Sequence, residues 1–207
     1  SLYSILLCFL FSCTTSVKEE LPLFKAEAFE TNIAGKQVSL YTLHSGNGLT
    51  MQVTNYGGRI VSLWVPDKDG KYEDVVFGFE SIDNYINHQG ERYLGPVIGR
   101  YGNRIANAKF ELDGVEYQLP ANDNGNTLHG GPQGFDDQVW TVDKVSDNSI
   151  QMSYTSPDGE EGFPGTVKTV MTYELNMNNE FVINYKSTTD KPTHINLTNH
   201  SQFNLKG

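Results

Sequence analysis

The sequence predicts an all-β protein built as an antiparallel β-sandwich, and three observations lead to this fold class. From about residue 37 onward, apolar residues alternate with polar ones at a period of two, which is typical of half-buried strands. Glycine-rich and asparagine-rich turns separate these short runs. Only residues 81–86 carry a helical pattern, with Ser81 as the expected cap. A chain of 207 residues with 38% hydrophobic content suits one domain with a buried core.

The clearest strand pair is a hairpin over residues 110–119. Asp113 and Gly114 form its turn, because Asp-Gly favours the two-residue turns in which both central residues have positive φ. This turn places Leu112 opposite Val115 and puts the glutamates of the hairpin on the other face. From their alternating apolar residues, later strands are expected at 150–154, 167–175 and 181–185.

The first twenty residues are expected to be an export signal and a tether. Residues 2–11 form an apolar run of about ten residues, which is shorter than the roughly twenty of a membrane-spanning helix and suits a signal peptide. Residues 10–13 resemble a bacterial lipobox, so Cys13 is the expected lipid attachment point, with a plain secretory signal as the alternative. Residues 14–20 would be a polar tether and residues 21–207 the N-terminal part of one sandwich domain. We therefore expect an exported bacterial protein, periplasmic or anchored in the membrane as a lipoprotein.

The charge balance excludes one class of partner. Twenty-five acidic residues against 15 Lys and Arg give a net charge of −10, whereas nucleic-acid binding requires clustered positive charge. A neutral ligand such as a sugar requires hydrogen bonds and stacking instead, and it is compatible with this composition.

Two glycine-flanked segments carry polar side chains that interrupt the strand pattern. Residues 99–105 include Asn103 and Arg104, which could hold sugar hydroxyls or, equally, bond the carbonyls of a turn. His129 precedes two glycines, which allow a backbone to approach a ligand closely. A loop histidine bonded to a carbonyl is the commoner alternative for His129.

Two further segments are less decisive. Loop 156–165 contains Glu160 and Glu161, but adjacent side chains diverge, whereas a glycosidase needs its two carboxyl groups on opposite sides of one bond. We interpret this loop as architectural, with Phe163 at its rim and a local base role for either glutamate as the minor alternative. Residues 193–205, interpreted as a strand, would place alternate polar side chains along one face, as a ligand cleft or a solvent face. The closely spaced His-x-His of a cupin-type metal site is absent from the sequence.

Together these segments resemble the aldose 1-epimerase, or galactose mutarotase, family. The resemblance rests on five motifs in the family's order, at residues 55–60, 98–105, 128–131, 158–165 and 196–201. It implies a galactose mutarotase-like supersandwich that is incomplete at its C-terminus, because chains of this family are substantially longer. It also implies an isomerase that interconverts the α- and β-anomers of free hexoses such as glucose and galactose.

The resemblance further implies roles for individual residues. His200 and His129 would be catalytic, with His200 protonating the ring oxygen and His129 hydrogen-bonding the sugar near it. The substrate-binding residues would be Asn103, Arg104, His129, Gln202 and Asn204. Gln202 stands where the family usually has Tyr. The general base would be a Glu beyond residue 207, so we expect the chain to be poorly active by itself.

Other classes stay open at this point. A non-catalytic carbohydrate-binding sandwich, an accessory domain of a glycoside hydrolase and a structural surface lipoprotein are the alternatives. The epimerase chemistry requires no cofactor. A structural Ca²⁺ would be compatible with an exported sandwich, although the sequence contains no ligand set with diagnostic spacing. The expected partner is a small aldose, the expected protein is a monomer, and any membrane contact would be through the N-terminal lipid alone.

Overall fold

A computed structural model describes residues 20–207 as an almost entirely β-stranded protein. The strands are β1 (Thr31–Ile33), β2 (Lys36–Val38), β3 (Leu40–His44), β4 (Thr50–Thr54), β5 (Arg59–Pro66), β6 (Tyr72–Asp74), β7 (Val97–Ile98), β8 (Arg104–Ile105), β9 (Lys109–Leu112), β10 (Val115–Gln118), β11 (Thr127–Leu128), β12 (Thr141–Val145), β13 (Ser149–Ser156), β14 (Val167–Leu175), β15 (Phe181–Thr189) and β16 (Thr198–Asn199). The helical elements of this part of the chain are α1 (Ile82–Ile86) and four 3₁₀ segments, Ala26–Phe29, Ala106–Ala108, Phe135–Asp137 and Glu160–Gly162.

The predicted export signal falls outside this description. The apolar run at residues 2–11 and the lipid attachment expected at Cys13 both precede residue 20. Within residues 20–207, no helix is long and apolar enough to cross a bilayer.

Two four-stranded antiparallel sheets form the body of the fold. One has the strand order β3-β4-β5-β6 and the other β12-β13-β14-β15. The main core contains apolar residues from both, including Met51 and Ile60 of the first sheet and Met152 and Met171 of the second, all with 0% exposure. The predicted all-β antiparallel sandwich is therefore confirmed.

Several local predictions are also confirmed. In the β9–β10 hairpin Leu112 pairs with Val115 across the Asp-Gly turn, as its sequence requires. In β14 every second residue is buried between less buried ones, which is the expected period of two. Helix α1 begins after Ser81, although the Ser81 side chain makes no capping hydrogen bond.

The predicted strand over residues 193–205 is largely wrong. Only β16 within it is a strand, and it pairs with the equally short β7. Of the two apolar residues expected on its other face, Ile195 is 37% exposed, whereas Leu197 is partly buried against the main core. The rest of the segment is joined to its neighbour by isolated bonds, such as the one from the Asn196 amide to the Arg100 carbonyl at 2.8 Å. Without a continuous ladder the side chains do not alternate strictly between two faces.

Phe163 was also misplaced by the sequence pattern. It lies in a small separate core with Ala108 and Leu119 and has 0% exposure rather than a position at a rim. Its ring stacks on Phe110 of the hairpin, with centroids 5.9 Å apart. Loop 156–165, which we call the glutamate loop, is thus anchored to the hairpin by an aromatic contact.

Methionine provides a matched test of this core. Met171 is fully buried between the sheets, whereas Met177 is 65% exposed at the turn between β14 and β15. Met171→Ala should lower the free energy of unfolding by about 2–5 kcal/mol, because it leaves a cavity. Met177→Ala should change the free energy of unfolding by less than about 0.5 kcal/mol. Urea titration of the intact protein, followed by tryptophan fluorescence, measures both; equal losses would contradict this description of the core.

Candidate active site

Two short strand pairs bring His129 and His200 together. His129 follows β11, which pairs with β8, and His200 follows β16, which pairs with β7. Because β7 and β8 are joined by only the few residues 99–103, the ends of β11 and β16 lie close to each other. The two imidazole centroids are 5.0 Å apart, with the ring planes at 74°.

His129 is held in a defined orientation and protonation state. Its backbone φ of 54° lies in the left-handed region, and its Nδ1 accepts a hydrogen bond from the Asn103 amide at 3.0 Å. Burial, with smaller contributions from the positive charges of His200 and Arg104, lowers the pKa of His129 to about 4. At neutral pH the imidazole is therefore uncharged, with its proton on Nε2, and can donate a hydrogen bond from that nitrogen.

His200 is fixed through its backbone. Its amide donates to the Pro96 carbonyl at 2.9 Å, and its own carbonyl accepts from the Gly95 amide at 3.2 Å. The buried Nδ1 of its ring has no hydrogen-bond partner among residues 20–207. Within residues 20–207, no hydrogen bond to Nδ1 therefore fixes which of the two ring nitrogens of His200 carries the proton.

Tyr93 completes an aromatic triangle that sequence reasoning missed. Its ring centroid lies 4.6 Å from that of His129 and 6.0 Å from that of His200. The pKa of its phenol is raised, mainly because the ring is partly buried. Tyr93 lies in the irregular stretch 87–96, where neither a strand pattern nor a glycine cluster distinguishes it.

Asn103 and Arg104 lie beside this triangle. The Asn103 side chain accepts a hydrogen bond from the Arg104 guanidinium at 3.2 Å, and Asp123 accepts another from Arg104 at 2.6 Å. Arg104 keeps 54% of its side chain exposed. Because Asn103 also bonds His129, the two predicted sugar-binding residues and the predicted histidine form one group.

Arg100, four residues before Arg104, bonds the carbonyls of a loop and not the polar group beside the histidines. Its guanidinium donates to the carbonyls of Pro164, Ser156 and Pro157 at 2.9, 3.1 and 2.6 Å, and it is 2% exposed. Arg100 therefore anchors the glutamate loop, and only Arg104 remains available on the surface of this segment.

The two adjacent glutamates diverge, as their sequence position predicts. Glu160 accepts hydrogen bonds from Tyr154 and Ser156. Glu161 instead approaches Gly131 in the loop that follows His129, where burial raises the pKa of its carboxyl. Among residues 20–207 neither glutamate hydrogen-bonds to a histidine ring, so a local base role has no contact in its favour.

The last two predicted binding residues lie beside residues 75–77, which follow β6. Gln202 is exposed, and its carbonyl accepts from the Phe77 amide at 3.0 Å. The Asn204 side chain donates to the Gly207 carbonyl at 2.8 Å and accepts from the Lys206 amide at 3.3 Å. The structure thus engages Asn204 in a local turn and does not bring it to the histidines.

The part of the chain that the structure describes holds no group of three or more His, Cys, Asp or Glu side chains arranged to bind a metal ion. The structural Ca²⁺ considered from the sequence stays a prediction, because calcium also takes backbone and amide carbonyl oxygens as ligands.

The chain is matched by the model of a known protein family. A family model described as aldose 1-epimerase matches residues 39–207. The chain belongs to the aldose 1-epimerase family. The resemblance drawn from the five sequence motifs is therefore confirmed.

Individual relatives agree with this assignment. Galactose mutarotase of Rattus norvegicus is 45% identical over 173 residues, covering 84% of this chain and 49% of that protein. Galactose mutarotase of Pongo abelii is 43% identical over 196 residues, covering 95% and 53% respectively. The solved GalM/aldose epimerase homologue from C. elegans superimposes with a TM-score of 0.77 at 32% identity, covering 81% of this chain and 51% of that one. The chain thus spans about half the length of the curated relatives it matches.

The expected localisation is wrong. Mammalian galactose mutarotases at 43–45% identity conflict with a bacterial exported lipoprotein, periplasmic or membrane-anchored. The expectation rested on an apolar run of about ten residues and one cysteine. Such a run reports hydrophobicity alone, and hydrophobicity specifies neither an organism nor a compartment.

A glycine pair tests the geometry of the candidate site. A Cβ on Gly130, whose φ is +87°, would lie 1.9 Å from the Gly99 carbonyl oxygen, whereas a Cβ on Gly114, whose φ is +77°, has no atom within 4 Å. Gly114→Ala should cost about 1–2 kcal/mol of unfolding free energy through backbone strain alone. Gly130→Ala should cost clearly more, because the loop that carries His129 must also move. Urea denaturation compares the two variants, and equal costs would refute the close approach at Gly99.

Proposed function

We propose that the intact protein catalyses the interconversion of the α- and β-anomers of free hexoses. The observation that carries the proposal is the pair of imidazoles 5.0 Å apart beside the polar side chains of Asn103 and Arg104. Membership of the aldose 1-epimerase family supports it, as does the name galactose mutarotase carried by relatives at 43–45% identity.

The two histidines are suited to different tasks. His129 is neutral at working pH because its pKa is lowered to about 4, so it is a hydrogen-bond donor rather than a source of protons. The role of general acid toward the ring oxygen is left to His200, the other imidazole of the pair, as the family resemblance implies. His129 would donate to the sugar from Nε2, while Asn103 and Arg104 would hold its hydroxyls.

The reaction balances with proton transfers alone. A base removes the proton of the C1 hydroxyl, the bond between C1 and the ring oxygen breaks, and His200 protonates that oxygen. The resulting aldehyde rotates about C1–C2, and the reverse transfers close the ring on its other face. No electrons leave the sugar, so the chemistry requires no cofactor. The identity of the base stays a prediction from the resemblance, a Glu beyond residue 207.

The ion pairs around His129 support a neutral sugar as the ligand. Arg104 is paired with Asp123, and the other cation near His129, Arg92, is paired with Asp136 and Asp137. A site whose cations already have carboxylate partners offers hydrogen bonds rather than net charge, which suits a polyhydroxy substrate.

His200→Ala in the intact protein should reduce the catalysed rate of mutarotation by about 10²–10⁴-fold, because it removes the proton donor for the ring oxygen. Polarimetry of freshly dissolved α-galactose or α-glucose measures the rate above the spontaneous one, and calorimetry should show that sugar binding persists. His44→Ala is the matched control, since His44 lies on β3 and contacts Thr50. A near-normal rate for His200→Ala would remove this residue from the mechanism. Sugar binding without mutarotation by the unmodified protein would favour a binding module instead.

A further inference from the structure

Beside the histidine pair lies a charged cluster that the proposed chemistry does not use. It consists of Arg59, Arg92, Asp136 and Asp137. Within this cluster, the Arg92 guanidinium contacts the Tyr93 ring. We propose that Arg92 is a positioning residue of the active site, which sets the spacing of the two histidines by holding Tyr93 against the loop that carries His129. This inference rests on the proposed function for its catalytic consequence, but its geometric content is independent of that function.

Arg92 joins two segments through one guanidinium. Its Nε donates to Asp136 at 2.8 Å, and its Nη2 donates to Asp137 at 2.8 Å and to the Pro132 carbonyl at 2.7 Å. These three acceptors belong to one segment, the loop that leaves His129 and its following 3₁₀ turn. A planar fork of donors can satisfy several acceptors at fixed angles, which a lysine ammonium cannot reproduce.

The same guanidinium also contacts Tyr93. Its central carbon lies 5.1 Å from the centroid of the Tyr93 ring, within the range of a cation–π interaction. Tyr93 in turn contacts both imidazoles, at 4.6 Å for His129 and 6.0 Å for His200. Arg92 therefore holds the tyrosine on one side and the histidine loop on the other.

Arg59 makes the base of this arrangement rigid. It is completely buried, and its guanidinium donates to the carbonyls of Arg92, Leu94 and Asp136, each at 3.0 Å. The backbones of both segments are thus already held together by Arg59. The role left to Arg92 is therefore to position side chains, above all the Tyr93 ring.

A lysine substitution separates position from charge. Arg92 is one of the positive charges that lower the pKa of His129, together with His200 and Arg104, while Glu91 raises it. Arg92→Lys keeps the positive charge and loses the fork. A change in the pKa of His129 in this variant therefore reports movement of the ring toward water rather than loss of a cation.

The test combines Arg92→Lys, Tyr93→Leu and the double variant in the intact protein. We expect each single variant to lower kcat for mutarotation by about tenfold or more while KM changes less than about threefold, because misplaced groups lose rate before binding. NMR titration should show the pKa of His129 rising from about 4 toward 6.5 in both. Because Arg92 acts through Tyr93, the double variant should lose no more than the more damaged single variant.

Controls keep the outcomes distinct. Lys109→Met breaks the exposed pair with Glu116 at 2.8 Å on the hairpin and should change neither kcat nor the pKa of His129. If Arg92→Lys does not fold, Asp137→Asn removes one charged partner of Arg92 and should lower kcat as Arg92→Lys does. The loss of a carboxylate would by itself lower the pKa of His129, so a rise in that pKa would report movement of the ring toward water. Unchanged kcat and an unchanged His129 pKa in folded Arg92→Lys would overturn the proposal, as would additive losses in the double variant. If the unmodified protein lacks mutarotase activity, the proposed function fails, while the NMR titration still decides the positioning role.

Discussion

The close approach of two glycine-containing backbones holds the candidate active site together. The amide of Phe135 donates to the Gly99 carbonyl at 3.1 Å, and the amide of His129 donates to the Asn103 carbonyl at 3.0 Å. Gly130 lies between these contacts, where a side chain would collide with Gly99. Because no side chain separates the two backbones, His129 comes within hydrogen-bond distance of Asn103, and its ring can reach the imidazole of His200.

Desolvation then assigns chemical roles within this geometry. The environment that brings His129 against other rings also removes water from it, and this burial is the main cause of its low pKa. The nearby arginines Arg92 and Arg104 reinforce the effect, yet each is paired with a carboxylate. A chain with a net charge of −10 thus carries a locally balanced, hydrogen-bonding site. Overall charge describes possible partners of the whole surface and says little about such a pocket.

Local sequence signals were reliable where the structure is itself local. The Asp-Gly turn set the register of the β9–β10 hairpin, because two residues with positive φ leave a single way to pair the flanking strands. Period-two alternation identified β13 and β14, which have neighbours along their whole length. It failed for residues 193–205, which have no such continuous neighbour, and it failed to show that Phe163 would be buried against Phe110.

The fold class, the family and the residue types of the candidate site follow from the sequence, because turn chemistry, strand periodicity and ordered motifs are properties of short segments. The three-dimensional arrangement was needed to show that Arg100 anchors a loop while Arg104 stays at the surface of the site, that His129 is neutral, and that Tyr93 contacts both histidines. These properties depend on distances between segments remote in sequence and on the water excluded between them. Neither the distances nor the exclusion of water can be inferred from a short stretch of residues.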